Sequence, residues 1–245
     1  MARPDREKHV WIADSDAPPL ADADAGAALA NAIMVLAREM GRLRIVTAVA
    51  TIGCAPPPLS AGEETRYRGL GSKSRRETWL AGRAAIKAGR ERLDLDTDTS
   101  ALCFPDACTS LTHAGGYAVA VTAPRGALHG IGIDLEAWRS TAAGITRFFL
   151  TDAERDWIEG LPPDRQERDR IRLWTVKEAV FKAQPDNHGM NLTQFALDDP
   201  SVDRGAATAQ TAGRNTAMNR VSYASKWTSA GCVSLAYSAN AGYAA

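Results

Sequence analysis

Two segments constrain this chain more than any other feature: Gly130-Ile131-Gly132-Ile133-Asp134-Leu135-Glu136, and, about forty residues later, Trp174-Thr175-Val176-Lys177-Glu178-Ala179-Val180-Phe181-Lys182-Ala183. In the first, Ile131, Ile133 and Leu135 alternate with Gly132, Asp134 and Glu136. A period of two is that of a strand, so the two carboxylates leave one face. In the second, Val176, Ala179, Val180 and Ala183 form an apolar helical stripe that asks for burial. Glu178 and Lys182 are four residues apart and share another face. A strand bringing two carboxylates to a helix bringing a carboxylate and an ammonium suits a hard cation and a phosphate. Mg²⁺ prefers a few carboxylates together with substrate phosphate oxygens. Two like charges on one strand face also repel, and a counter-cation explains them better than a solvated polar face.

The remaining sequence reads as short strands alternating with helices. A strand is predicted over His9–Asp14 and an Ala-rich helix over Asp24–Met40, with Asp24 as N-cap and Gly41 as terminator. Arg44–Thr51 reads as a strand, ended by Ala55-Pro56-Pro57-Pro58. Two capping boxes, Ser60-Ala61-Gly62-Glu63 and Thr151-Asp152-Ala153-Glu154, open helices. Each is followed, after a charged stretch, by a Trp-led helix, Trp79–Ala88 and Trp174–Ala183. Aligned without gaps, the two match at Trp, Ala, Lys and Ala and set Arg83 opposite Glu178, which suggests a duplication. Cys108–Val121 reads as two strands around Gly115-Gly116. Asn187–Asn191 is expected as a loop, Leu192–Leu197 as a strand and Gly205–Asn219 as a loop or weak hairpin turn. Val221–Trp227 and Cys232–Tyr237 read as closing strands, with loose residues after them.

Composition excludes more than it proposes. With 29 basic and 29 acidic residues, bulk charge gives no argument for nucleic acid or a membrane surface. No apolar run reaches the ~18–20 residues of a membrane helix. Met1–Lys8 leads into no long apolar stretch, so a secretory signal is not expected. Cys54, Cys103, Cys108 and Cys232 lack metal-type spacing and read as reduced cytoplasmic thiols, buried as small hydrophobes. There is no GxxxxGK[ST] and no GxGxxG after a strand.

The order GIGIDLE, then WTVKEAVFKA, resembles the signature of the 4′-phosphopantetheinyl transferases: an apolar-Gly-apolar-Asp-x-Glu strand followed by a Trp/Phe-Ser/Thr-x-Lys-Glu-Ala/Ser-x-x-Lys helix. Length and supporting segments look like the double-size, monomeric Sfp type, with the resemblance covering about residues 57–200. It implies an α/β (α+β) fold of two pseudo-two-fold-related halves, each a small antiparallel sheet packed with a long helix. The expected halves are 1–121 and 122–245, the second bearing the metal and catalytic motifs. The implied reaction moves the 4′-phosphopantetheine arm of coenzyme A to a serine of an acyl or peptidyl carrier protein, with Mg²⁺, releasing 3′,5′-ADP. A cytoplasmic monomer binding neither nucleic acid nor membrane is expected. Carrier domains usually present acidic helices, so a basic or apolar docking surface is expected too.

On this resemblance Asp134, Glu136 and Glu178 hold the metal, and Glu178 is the best candidate to take the serine proton, directly or through a metal-bound water. Lys182 serves catalysis and phosphate binding. His113, within Leu111-Thr112-His113-Ala114-Gly115-Gly116, resembles the family's Ser-His-Ser-Gly stretch, and with Thr112 is expected at a phosphate. Arg76, Arg83 and Lys177 are further coenzyme A contacts, with Arg66, Arg68 and Lys73 in reserve. One departure stands out. Many Sfp-type enzymes have a Gly-Lys-Pro stretch before the His, where this chain reads Ser100-Ala101-Leu102-Cys103-Phe104-Pro105-Asp106, without a lysine. Two alternatives remain: a degenerate paralogue that binds coenzyme A or a carrier without turnover, and an Mg²⁺-dependent phosphohydrolase.

Overall fold

Two antiparallel sheets share one core in a computed structural model that describes residues 9–21, 24–41, 44–138, 143–209 and 220–239. The first sheet consists of β1 (Val10–Asp14), β2 (Val46–Thr51), β3 (Thr109–Ala114) and β4 (Tyr117–Thr122), in the order β1-β2-β4-β3. The second consists of β5 (Gly130–Glu136), β6 (Phe195–Leu197), β7 (Arg204–Ala209), β8 (Arg220–Thr228) and β9 (Gly231–Ser238), in the order β5-β9-β8-β7-β6. The helices are α1 (Ala25–Glu39), α2 (Ala61–Arg68), α3 (Lys73–Arg92), α4 (Asp152–Glu159) and α5 (Pro163–Lys182).

Alternation along the strands decides what each face meets. Val49, Val119 and Val121 turn to the shared core, where they join Leu29, Ile33 and Leu36 of α1. From the second sheet come Ile131, Ile133, Leu135, Val233 and Leu235. Each such side chain contributes roughly 1.5–3 kcal/mol by leaving water. Small residues face the other way: Ala48, Ala50, Ala118 and Ala120 let α3 settle close, through Ala81, Ala85 and Ile86. On the second sheet the expected stripe of Val176, Ala179, Val180 and Ala183 packs on Phe195, Val221, Tyr223 and Ala236. The result is an α+β fold in two halves, each a sheet with a long helix across it.

The seam between the halves uses side chains. β5 pairs with β9 along one edge. On its other side the Ile133 amide donates to Ser110 Oγ at 3.1 Å and the Leu135 amide to Thr112 Oγ1 at 3.3 Å. Two hydroxyls of β3 thus satisfy amides of β5, whose orphaning in a buried place would be costly.

Both capping boxes form: Ser60 and Glu63 at 3.3 and 2.8 Å, Thr151 and Glu154 at 3.3 and 2.8 Å. Asp24 caps α1, and Gly41 has φ 107°. Gly115 and Gly116 turn the β3–β4 hairpin with φ 60° and 86°. Other expectations are corrected. The charged stretches before Trp79 and Trp174 are themselves the opening turns of α3 and α5. Gly205–Ala209, expected as loop, belongs to β7, because pairing with β8 and burial of Ala206, Ala207 and Ala209 outweigh the weak local pattern. Residues 210–219, 1–8 and 240–245 lie outside the described residues. The strand expected from Leu192 begins at Phe195, after a 3₁₀ turn. All four cysteines are free, but only Cys232 is buried and Cys103 is exposed. No helix among the described residues is long and apolar enough to cross a membrane.

Candidate active site

The even-numbered face of β5 lies under α5, in antiparallel register. At Gly130 a Cβ would collide with the carbonyl oxygen of Ala183, and at Gly132 with that of Ala179. The two glycines let the helix come down onto the strand. One step further, Lys182 Nζ lies 2.7 Å from Asp134 Oδ1 and donates to the Ile133 carbonyl at 3.2 Å. At the end of the strand, Trp174 Nε1 donates to Glu136 Oε1 at 3.0 Å. Trp174 is held in turn edge-on to Phe149, ring centroids 5.0 Å apart. The spacing Gly-x-Gly-x-Asp-x-Glu is thus a helix seat followed by two carboxylates that meet Lys182 and Trp174 of the helix.

Asp134 is only 5% exposed. Its Oδ1 also accepts from Thr112 Oγ1 at 3.0 Å, while Oδ2 is buried with no hydrogen-bond partner. Burial raises its pKa, against the lowering effect of Lys182. Glu178 is raised as well, first by burial and then by the charges of Asp134 and Glu136, with Lys182 opposing.

A track of basic side chains leads away from these carboxylates. His113 packs against Gly82 of α3, where a Cβ would stand 2.8 Å from Nε2. The residue is exposed, yet surrounding protein mass and then the charges of Lys182 and Arg83 push its pKa from 6.5 to about 4. Arg83 is 7% exposed, its guanidinium 5.0 Å from the Trp79 ring and its Nε buried without a partner. Burial lowers its pKa; Glu63 opposes this and Arg66 adds to it. Arg76 lies 5.7 Å from the Tyr67 ring, which is 6.1 Å from Trp79, and its Nε donates to the Leu70 carbonyl at 2.9 Å. Tyr67 and Trp79 therefore separate two arginines that sequence reasoning found, and nothing in the motif pointed to Tyr67. Lys73 is exposed and faces Glu77 at 3.8 Å, while Arg68 pairs with Glu64 at 3.1 Å.

Three of the expected site groups have partners within the protein. Lys177 is fully buried: its ammonium lies 2.7 Å from Glu154 Oε2 and donates to the Phe195 carbonyl, so it braces α5. Thr112 is buried and spends its hydroxyl on Asp134 and Leu135, which makes it a support for the carboxylate. The metal set is not preassembled: among the described residues no three His, Cys, Asp or Glu side chains are grouped to hold an ion. Like charges relieve their repulsion here by taking separate donors, Lys182 for Asp134 and Trp174 for Glu136. The donor chemistry still fits a hard cation, because Asp134 keeps one unpartnered oxygen and Glu178 senses both neighbouring charges.

The two long helices are also equivalent in an unexpected register. Lys87 clamps Glu63 of the first capping box at 2.8 Å, as Lys177 clamps Glu154 of the second. By contact Lys87 corresponds to Lys177, whereas the ungapped alignment sets it opposite Lys182. The pairing of Arg83 with Glu178 therefore rests on that alignment alone. A cavity of about 780 Å³ opens elsewhere, between Val10, Cys54, Lys87 and Asp98, and Asp134, Glu136, Glu178, Lys182, His113 and Arg83 do not line it.

Residues 130–233, from the start of β5 into β9, match the sequence model of the 4′-phosphopantetheinyl transferase superfamily. Over 90 residues the chain is 37% identical to the 4′-phosphopantetheinyl transferase PptT of Mycobacterium tuberculosis (strain ATCC 25618 / H37Rv), a stretch covering 36% of this chain and 39% of that protein. The part matched by the family model contains the seat of glycines, both carboxylates of β5 and all of α5, and over that part the chain is similar to the 4′-phosphopantetheinyl transferase superfamily.

Proposed function

We propose that this chain is an Sfp-type enzyme, a cytoplasmic monomer of two halves dividing near residue 121, that transfers the 4′-phosphopantetheine arm of coenzyme A to a serine of an acyl or peptidyl carrier protein in an Mg²⁺-dependent reaction. The observation that supports it most is the buried, half-satisfied Asp134 between Lys182, Thr112 and the neighbouring Glu136 and Glu178. Asp134, Glu136 and Glu178 would hold Mg²⁺, which when bound supplies charge neutralisation at the pyrophosphate. Lys182, its side chain 27% exposed, turns its ammonium to a phosphate oxygen. His113 and Arg83 continue the track of phosphate-facing donors along the nucleotide. The serine Oγ bonds to the phosphorus carrying the pantetheine arm, the bond from that phosphorus to the bridging oxygen breaks, and 3′,5′-ADP leaves with that oxygen. Glu178 accepts the hydroxyl proton, and its raised proton affinity suits it as a base. Positioning and charge stabilisation are most of what such a transfer requires.

Incubation with coenzyme A, Mg²⁺ and an apo carrier tests the reading: the carrier gains the mass of the arm. Cleavage of coenzyme A without that gain means a hydrolase, and binding without either means a degenerate paralogue. Glu178→Gln keeps the shape but loses charge and basicity, and is expected to slow transfer by on the order of 10²-fold or more. An unaffected rate would reduce Glu178 to a helix-surface acid.

His113 gives a pH test. Its pKa is depressed to about 4, so the free protein holds it neutral at pH 5. An anion beside the ring favours the imidazolium, so binding takes up a proton near about pH 5. The effect is read as a buffer-dependent heat of coenzyme A binding, and it disappears in His113→Ala; equal heats in all buffers contradict the phosphate role. In the apo protein the same shift has the opposite consequence. The unfolded chain accepts this proton from about 6.5 downward and the folded one only near 4, so His113 lowers stability as pH falls through that window.

An apolar surface supports a docking place for the carrier. Trp138 and Phe148 are 57% and 60% exposed, and Ile145 is exposed between them in sequence. Arg147 stacks on Phe148 at 4.7 Å, and Arg168 on Trp227, the neighbour of Trp138, at 5.4 Å. The surface flanks Glu136: Trp138 is two residues beyond it, and Phe149, next to Phe148, packs on the Trp174 that holds it. Exposed aromatics beside arginines suit an acidic helix with apolar residues. Replacing both Arg147 and Phe148 by Ala is expected to raise KM for the carrier about tenfold while KM for coenzyme A stays the same. A carrier KM that does not move places docking elsewhere.

A further inference from the structure

Arg83 is tied to the first capping box through a residue that lies outside any motif in the sequence. Its Nη1 donates to Thr99 Oγ1 at 2.8 Å. The Thr99 hydroxyl in turn donates to Glu63 Oε1 at 2.5 Å, and the Thr99 amide donates to the same oxygen at 3.0 Å. The other Glu63 oxygen accepts from the Ser60 amide at 2.8 Å and faces Lys87 Nζ at 2.8 Å. Glu63 is 0% exposed and Thr99 1%. Direction follows from chemistry. A carboxylate only accepts and a guanidinium only donates. With one hydroxyl proton available, Thr99 gives it to Glu63 and must present a lone pair to Arg83. Trp79 covers the guanidinium from another side at 5.0 Å.

We propose that Thr99 and Glu63 are positioning residues that hold the Arg83 guanidinium oriented for a nucleotide phosphate. The inference rests on the reading of Arg83 as a phosphate contact. Arginine loses considerable rotamer freedom when it binds, and a group already held in place loses less at that moment. Lys87 keeps Glu63 charged at one oxygen, so the other oxygen stays a firm acceptor for the Thr99 proton. The relay ties a phosphate contact to the capping box of α2, and it lies in the half of the chain where the expected Gly-Lys-Pro lysine is missing. A chain with fewer phosphate cations depends more on the orientation of those that remain.

Calorimetric titration of coenzyme A and of 3′,5′-ADP tests it, using the intact chain and its Thr99→Val, Thr99→Ala, Thr99→Ser and Arg83→Ala variants, with the fold of each checked by its melting curve. Both hydroxyl-free variants are expected to bind the two ligands about tenfold more weakly, and Thr99→Ser to bind within about twofold of the unchanged protein. Arg83→Ala loses at least about tenfold, and adding Thr99→Val to it costs nothing more, because the two act through one group. A melting temperature that falls in Thr99→Val or Thr99→Ala without a change in affinity overturns the proposal and leaves Thr99 a purely structural residue. An additive loss in the double variant overturns it as well. Undiminished binding by Arg83→Ala instead removes the reading on which it rests.

Discussion

Asp134→Ala is expected to remain folded and to lose transfer activity by on the order of 10²–10³-fold or more. The loss follows from what this carboxylate does: it is the most buried of the three proposed metal ligands, the partner of Lys182 and Thr112, and the holder of an unsatisfied oxygen. Retention of the fold follows from its cost. Burial shifts its pKa upward despite the ammonium at 2.7 Å, so the native state bears an expense in keeping it ionised. Removing it leaves Lys182 without its carboxylate, but the ammonium still donates to the Ile133 carbonyl and the side chain is 27% exposed and reaches water. The buried, fully desolvated orphan that makes a broken ion pair severe is absent, and a change within about 2 kcal/mol is expected. Melting curves and the rate of carrier mass gain at saturating Mg²⁺ and coenzyme A are the two measurements. A stable variant with most of its Mg²⁺-dependent rate sinks the metal assignment.

The site was legible where function and local pattern coincide. GIGIDLE reads as a strand because it alternates, and the same alternation fixes which face meets α5. Glu178 and Lys182 share a helix face by spacing alone, and the structure sets both near Asp134. What was missed depends on distant partners. Lys177 adjoins Glu178 in sequence, but a one-residue step turns the side chain about 100° around a helix, into the core beside Glu154. Thr112 looked like a phosphate hydroxyl, and only the approach of β5 shows which oxygen takes its proton. Thr99 lies in a stretch with no pattern at all, and its role exists only because α2 and α3 converge on it. β7 was lost for a different reason: Arg-Gly-Ala-Ala-Thr-Ala has weak strand propensity, and its neighbours supply the order.

Lys177→Met separates the two meanings of the Lys-Glu doublet, with an expected loss of roughly 3–5 kcal/mol of stability and an unchanged affinity for coenzyme A in the folded protein. The ammonium has no accessible surface, and burial lowers its pKa while Glu154 opposes. Glu154 is 2% exposed and already accepts from the Thr151 amide at 2.8 Å and the Leu197 amide at 2.9 Å. Lys177 thus joins α5 to the capping box of α4 and to β6. Methionine fills a similar volume, so the defect it introduces is electrostatic: a buried carboxylate without its cation. For that reason Glu154→Gln in the same chain is expected to recover much of the loss, since glutamine also completes a capping box and has no charge to bury. Urea unfolding of the single and double variants measures the first effect, and coenzyme A titration of the folded single variant the second. Full stability with weakened coenzyme A binding would return Lys177 to the ligand site. The expected opposite would mean that, of this adjacent pair, one residue serves the chemistry and the other holds its helix in place.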